Sequence, residues 1–330
     1  MHSKVVLKYN GNDEDSLTDR HSSFSFTDNA SGEADSVTIS FQNIAGEWMK
    51  GYYPKSGDYL KAWIKAEHWQ YDNVSEKLYC GKFLIDTIEI SGFPQTTQVQ
   101  GISVPIKTGF NVTQRNRTWK KTNTKSILSD LAKNGGIKIV YDAKIHDIDE
   151  IRQSGKTDLT FAFGICADYG LSIKLYNDKM IVYDQTEYEK KKAAYTIRKD
   201  NLCGGYKFKV QITKVYDSVK IQYTKNKQTF TYSYTVPGKK GNRTLFINSK
   251  VDSYKEAETK AKAKLRENLR KNKSLTLNLT GMARYRAAEN FRLEGFGKLD
   301  GVYFIDAVVH NKSHTAWKST ITAHPVVTDF

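Results

Sequence analysis

The chain has 330 residues, 39% of them hydrophobic, with 20 Tyr, 15 Phe and only 5 Pro. This is enough for two or three domains with sizeable cores, and it excludes a low-complexity or disordered chain. The net charge of +15 is uneven: residues 1–100 carry 9 Lys/Arg against 14 Asp/Glu (net −5), 101–206 carry 18 against 12 (+6), 207–273 carry 18 against 5 (+13), and 274–330 carry 6 against 5 (+1). No window approaches the ~18 apolar residues that would span a membrane. The N-terminus, Met1-His2-Ser3-Lys4-Val5-Val6-Leu7, has neither a long apolar run nor a cleavage site, so no secretory signal is expected. Cys80, Cys166 and Cys203 are odd in number, far apart and without CxxC spacing, which predicts reduced thiols rather than a disulfide framework or a zinc site.

The first third reads as strands. Ser36-Val37-Thr38-Ile39-Ser40-Phe41 alternates polar and apolar after the turn residues Asn29-Ala30-Ser31-Gly32. Tyr59–Ile64 follows the turn Lys55-Ser56-Gly57-Asp58. Gly81–Ile90 is a further strand closed by Ser91-Gly92-Phe93-Pro94, and Thr97–Val104 comes next. Strands at this spacing with Gly-rich turns predict a barrel or sandwich.

The period then changes. Thr124 is read as the cap of a short helix with Ile127, Leu128, Leu131 and Ala132 on one face, stopped by Asn134-Gly135. Ile137–Tyr141 reads as a strand. A second helix is predicted from Thr157 to Tyr169 with Gly170 at its end, then strands Leu171–Tyr176 and Met180–Tyr183 around Asn177-Asp178. In the last third, strands are expected at Val215–Tyr223, Gln228–Val236 and Arg243–Ile247. Ser253 with Glu256 marks the start of a long helix, where Ala257, Ala261, Leu265 and Leu269 form one apolar stripe among Lys and Arg.

One internal repeat stands out. Gly81-Lys82-Phe83-Leu84-Ile85-Asp86-Thr87-Ile88 matches Gly301-Val302-Tyr303-Phe304-Ile305-Asp306-Ala307-Val308 as G-x-[FY]-x-I-D-x-[IV]. Alternation puts the aromatic and the Ile on one strand face. The predicted fold class is mainly β with an α+β insertion. Two related β-barrels (1–108 and 191–330, the latter with an inserted helix near 253–271) flank a small α/β domain at 109–190.

The search for chemistry yields no catalytic, cofactor-binding or metal-binding residue. His310 and His314 sit four apart where a strand runs into a turn, and no Glu completes an HExxH motif. Ser154-Gly155-Lys156-Thr157 imitates the end of a phosphate loop, but Glu150 stands where the required Gly would be; it reads as the turn and cap before the second helix. Asp147, Asp149 and Glu150 cluster in what reads as an exposed loop, not as paired acids in an apolar pocket. No G-x-S-x-G and no Cys/His arrangement is visible. No enzyme activity and no cofactor are expected.

Phe24–Val37, Trp48, Pro54-x-x-Gly57-Asp58 and Gly81-Lys82-Phe83-x-Ile85-Asp86 resemble the N-terminal barrel of the phage late control D family. Lys125–Ala132 and Asp158–Asp184 resemble its central domain, and Gly297-x-x-Asp300-Gly301-x-Tyr303-x-Ile305 with Val308-x-His310 resembles its second barrel. The family includes hubs of contractile phage tails, XkdQ-like proteins of defective prophages and hubs of tail-like bacteriocins; its barrel part is similar to the VgrG spike of type VI secretion. The resemblance implies a homotrimeric structural hub. It would join a trimeric spike to a hexameric tail tube, be made in the bacterial cytoplasm and be carried in the baseplate of the released particle. Because the chain ends soon after the second barrel, no fused hydrolase or needle is expected. Two other readings stay open: a nucleic-acid-binding protein using the basic 207–273 segment, with Tyr216, Tyr223, Tyr232 and Tyr234 among its lysines, and a tail-associated cell-wall hydrolase. No membrane partner is expected, and nucleic acid is the weaker alternative.

Overall fold

Alternation in the first third builds strands β1 (His2–Tyr9), β2 (Asn12–Asp13), β3 (His21–Asn29), β4 (Ser36–Gln42), β5 (Tyr59–Glu67), β6 (Glu76–Ser91) and β7 (Thr96–Ile102). In β5 every second side chain is buried over eight residues, the mark of a strand with one face on a core. The computed structural model describes residues 2–13, 17, 21–69, 74–105, 109–225, 228–249 and 251–328.

The middle of the chain forms a smaller α/β unit. It contains β8 (Arg115–Asn123), α1 (Thr124–Asn134), β9 (Lys138–Asp142), β10 (Asp147–Lys156), α2 (Asp158–Asp168), β11 (Ser172–Tyr176), β12 (Lys179–Tyr183) and α3 (Gln185–Glu189). Its core joins Ile127, Leu128 and Leu131 of α1 to Phe161 and Ile165 of α2 and Met180 and Val182 of β12. The cap of α1 is Asn123, whose side chain accepts from Ser126 N; Thr124, expected there, is instead fully buried and bonds Tyr141 and His146. The helix expected from Thr157 begins as read, with Thr157 Oγ1 accepting from Thr160 N. Asp147–Glu150, expected as an exposed loop, and Ser154-Gly155-Lys156, expected as a turn, are strand β10. It pairs with β8 as a two-stranded ribbon exposed enough to keep the polar composition of a loop.

The last third supplies β13 (Tyr195–Ile197), β14 (Leu202–Val210), β15 (Ser218–Lys225), β16 (Gln228–Thr235), β17 (Thr244–Ile247), α4 (Tyr254–Lys271), β18 (Lys273–Thr280), β19 (Asn290–Leu293), β20 (Gly301–Ser313) and β21 (Trp317–Pro325). Strands β15–β17 form a separate small sheet that α4 covers. Ala257, Ala261 and Leu265 of α4 pack on Val219, Ile221 and Tyr232. The single stripe expected on this helix is joined by a second contact, since Ala263 is also buried and lies against Gly170 of the α/β unit.

The fold class is mainly β with an α/β insertion, as expected. Apart from β15–β17, the strands of the two anticipated barrels belong to one hydrogen-bonded sheet of thirteen strands, ordered β14-β18-β21-β20-β3-β4-β7-β6-β5-β1-β2, with β19 attached at β20 and β13 at β19. The halves meet where Ala307–Ser313 of β20 pairs antiparallel with Asn29–Ser23 of β3. Each half has its own core, one around Ile39, Phe41, Leu60 and Phe83 and the other around Leu275, Leu277, Tyr303 and Ile305.

The repeat found in the sequence is a repeat of sheet register. Ile85 opposes Gly101 in the first half and Ile305 opposes Ala323 in the second. Phe83 faces Leu60 as Tyr303 faces Phe291. The register slips at the Asp in both copies, between Ile85 and Thr87 and between Ile305 and Ala307. Gly81 and Gly301 both take positive φ, +133° and +156°, which explains why each copy begins with Gly. Strands β3, β4, β5, β6 and β7 thus correspond in order to β14, β18, β19, β20 and β21, and β15–β17 with α4 are inserted between the first two of the second set.

Candidate functional site

Two buried polar clusters hold the α/β unit against the large sheet, one on each half. On the first half, Lys174 of β11 reaches Asp28 Oδ1 at 2.5 Å, Asp35 Oδ1 at 2.8 Å and the Asn29 carbonyl at 2.7 Å. One ammonium thus faces two carboxylates. Burial opposes charge on Lys174, but Asp28 and Asp35 outweigh it and raise its pKa. Asp35 goes up to about 7, chiefly because burial disfavours its anion and secondarily because Asp28 repels it.

On the second half, His324 of β21 lies between two acids. Its Nδ1 is 2.8 Å from Asp306 Oδ1 and its Nε2 is 3.3 Å from Glu189 Oε1. Arg270 at the end of α4 closes the chain with Nε 2.6 Å from the same Glu189 oxygen. Burial favours the neutral ring, yet the two carboxylates raise the His324 pKa. Burial would raise Glu189, but His324 and Arg270 hold it below the usual range. An open cleft of about 570 Å³ runs beside this cluster, lined among others by Glu267, Arg270, Lys271, Lys273, Asp306 and His324. The arrangement is an ion-pair bridge among β21, α3 and α4. Glu189 and His324 are both spent on it, and no hydroxyl or thiol is hydrogen-bonded to His324 among the described residues.

The residues singled out in the sequence fall elsewhere. His310 is fully buried, with Nε2 3.1 Å from the Tyr285 carbonyl and Nδ1 2.9 Å from Ser319 Oγ; burial lowers its pKa to about 4. His314 does not join it and lies against the ring of His21. Asp147 and Asp149 border a small hollow of about 100 Å³ at the start of α4, and Glu150 turns away to Lys120 at 3.5 Å. Asp147 is almost fully solvated beside Lys255, so this is not the apolar setting that raises a catalytic acid. The Ser154–Thr157 stretch leads into a helix start occupied by its own anion: Asp158, buried, is held by Arg117, Arg115 and Gln153. Among the described residues no group of three or more His, Cys, Asp or Glu could hold a metal ion, and no helix is long and apolar enough to cross a membrane. The aromatics suspected of forming a stacking surface are turned inward: Tyr223 and Tyr232 are buried under α4, and Tyr216 and Tyr234 pack against them. Sequence reasoning missed the Asp306–His324–Glu189–Arg270 bridge; only Asp306, inside the repeat, carried any signal.

No family model matches this sequence, and no curated protein is similar to it in sequence. Solved structures do match over the whole fold. The 43 kDa tail protein of prophage MuSo2 from Shewanella oneidensis is similar with a TM-score of 0.73 at 14% identity, covering 98% of each chain. A tail protein from Neisseria meningitidis MC58 gives 0.72 at 13% identity, over 98% of this chain and 97% of the other. The Escherichia coli c3393 protein, described as a type VI secretion component similar to the T4 tail proteins gp27 and gp5, gives 0.63 at 10% identity, over 98% and 78%. What is shared is therefore the fold, one also found in phage tail proteins and in a type VI secretion component. The particular likeness is to two tail proteins, each matched over nearly its whole chain.

Proposed function

We propose that this chain is the structural hub of a contractile phage tail or tail-like particle: a homotrimeric adaptor that joins a central spike to a hexameric tail tube. In this reading residues 1–108 and 191–330 act as two related barrels and 109–190 as the domain between them. The carrying observation is the end-to-end likeness to the MuSo2 tail protein, at equal coverage of both chains. The duplicated register supports it, because two equivalent sheet units per chain turn three chains into six repeats around an axis. The role needs no chemistry of its own, and the two buried clusters act as rivets between the central unit and the sheet. The protein would work in the baseplate of the released particle after assembly in the bacterial cytoplasm.

The test is to purify particles from cells making a tagged chain and locate the tag by electron microscopy. Label at the tube–spike junction, three copies per particle, is the expected result. Particles that are complete without the chain would overturn the reading. A zymogram on peptidoglycan is expected to stay blank.

A further inference from the structure

The first 100 residues hold 9 Lys and Arg against 14 Asp and Glu, yet six of the nine lie together on one face of the sheet. The register of β1, β5 and β6 sets them in two rows. Lys8, Lys61 and Lys82 oppose one another across the three strands, and so do Lys4, Lys65 and Lys77. Between these rows runs a third, made of Val6, Trp63 and Tyr79. All three rows point away from the core, because the residues that alternate with them, such as Val5, Leu7, Ala62, Ile64 and Leu78, fill it. The register shift opposite Ala62 and Trp63 puts an extra residue, Cys80, into β6. Without that bulge Tyr79 and Lys82 would fall on opposite faces; with it they share one.

The arrangement works against stability. Like charges directly opposite one another on neighbouring strands repel, and acids are not scarce in this segment. Lys82 has Asp178 at 3.1 Å, but Lys4, Lys61, Lys65 and Lys77 make no ion pair among the described residues. Residues four apart along a strand are ~13 Å apart, so the two lysine rows run as parallel rails with the apolar row midway. The turn between β11 and β12 walls one side, where Tyr79 donates to Asn177 Oδ1 at 3.4 Å. Trp63 and Tyr79 lie ring against ring, with centroids 5.0 Å apart and planes at 33°, and Tyr176 meets Tyr79 edge-on at 6.2 Å. The rings thus spend on each other the faces that stacked bases would need. What they leave is an apolar strip with a charged rim, which is how a protein contact is built around an aromatic centre.

We propose that β1, β5 and the first half of β6 form a docking face for an acidic protein surface. An apolar side chain of the partner would sit on the Val6–Trp63–Tyr79 strip, and carboxylates on either side of it would meet the two lysine rows. Those carboxylates cancel the repulsion within each row, so the partner restores what the spacing of the lysines costs the free chain.

The test is fluorescence anisotropy of the full chain with three labelled probes: a random glutamate–tyrosine copolymer, polyglutamate, and oligothymidylate of matched charge. The copolymer is expected to bind tightest. Lys61→Glu with Lys65→Glu should weaken its binding about tenfold, and Trp63→Ala should erase most of its advantage over polyglutamate. Lys239→Glu with Lys240→Glu makes the same charge change in the basic segment and should weaken binding less than about twofold. Melting curves give a second measure: Lys65→Glu, set between Lys4 and Lys77, should raise the melting temperature. An unchanged or lower value would overturn the premise that the row is held against stability. Tighter binding of oligothymidylate, lost with Lys61 and Lys65, would overturn the acidic-protein assignment and make the face a nucleic-acid site. Equal losses from both lysine pairs, or no binding of the copolymer, would overturn the docking face altogether. Each of these failures leaves the hub reading standing.

Discussion

The two halves of the large sheet are built to one plan and finished differently. Five strands of each half share order and register, down to the slip after the repeated Ile-Asp. The first half turns from β3 to β4 through six residues, Ala30–Asp35, and carries the acidic end of the chain. The second half inserts β15–β17 and α4 at the same point, and this insertion carries most of the basic charge. The lesson is that the apolar faces that set the register are kept, while charge and decoration are free to diverge where the chain leaves the sheet.

The sharpest way to break this correspondence is to empty the shared aromatic site. Phe83→Ala and Tyr303→Ala should each cost about 3–5 kcal/mol, measured by denaturant unfolding. Unequal losses, with one below ~1 kcal/mol, would show that the two positions are not equivalent in packing. A smaller effect is expected where the halves differ by one methyl group. A Cβ on Gly101 would sit 2.9 Å from Phe83 Cβ and 3.2 Å from the Leu84 carbonyl oxygen, so Gly101→Ala should cost about 1–3 kcal/mol through overpacking. Its counterpart already holds Ala323, and Ala323→Gly should cost about 1 kcal/mol for a different reason, backbone freedom in the unfolded chain.

The two rivets give a comparison in pH. Asp35 has its pKa raised to about 7, so the folded chain binds the extra proton between the ordinary value of 3.8 and that point, and stability falls as pH rises through the window. The slope approaches at most about 1.4 kcal/mol per pH unit, and Asp35→Asn should remove it. His324 is also raised. Its contribution is complete below its ordinary value of 6.5 and is lost as pH climbs through the higher folded value, so His324→Gln should flatten the alkaline side only. Melting curves from pH 4 to 9 check both, and the two losses should fall in successive windows. The smallest effect concerns charge between chains: high salt should slow assembly by several-fold yet leave an assembled ring intact, because exposed pairs contribute only ~0–1 kcal/mol each. Equal assembly rates across salt would remove charge from the account.

Legibility in the sequence followed the same division. Ser36–Phe41 could be read because a half-buried strand alternates, and the helix starts at Thr157 and Ser253 because side-chain caps leave a chemical mark. Strand β14 could not, since Cys203-Gly204-Gly205 and two lysines replace alternation on an edge whose outer side is open. Strand β10 read as a loop because only Ile148 and Gln153 in it are buried. The inward turn of Tyr223 and Tyr232 is decided by α4 packing on them, a contact between distant segments. The Glu189–His324 bridge joins residues far apart in the chain that no local pattern connects.

The β3–β20 junction has one more consequence, and it concerns time. Strand β3 is made well before its partner β20, so a growing chain holds one side of its first sheet open until β20 emerges. Hydrophobic Phe24 and Phe26 wait on that strand until His310 and Lys312 arrive beside them. A truncated product would keep this seam unsealed and display it to proteases and to other nascent chains. Emergence of β20 is thereby the event that seals the seam.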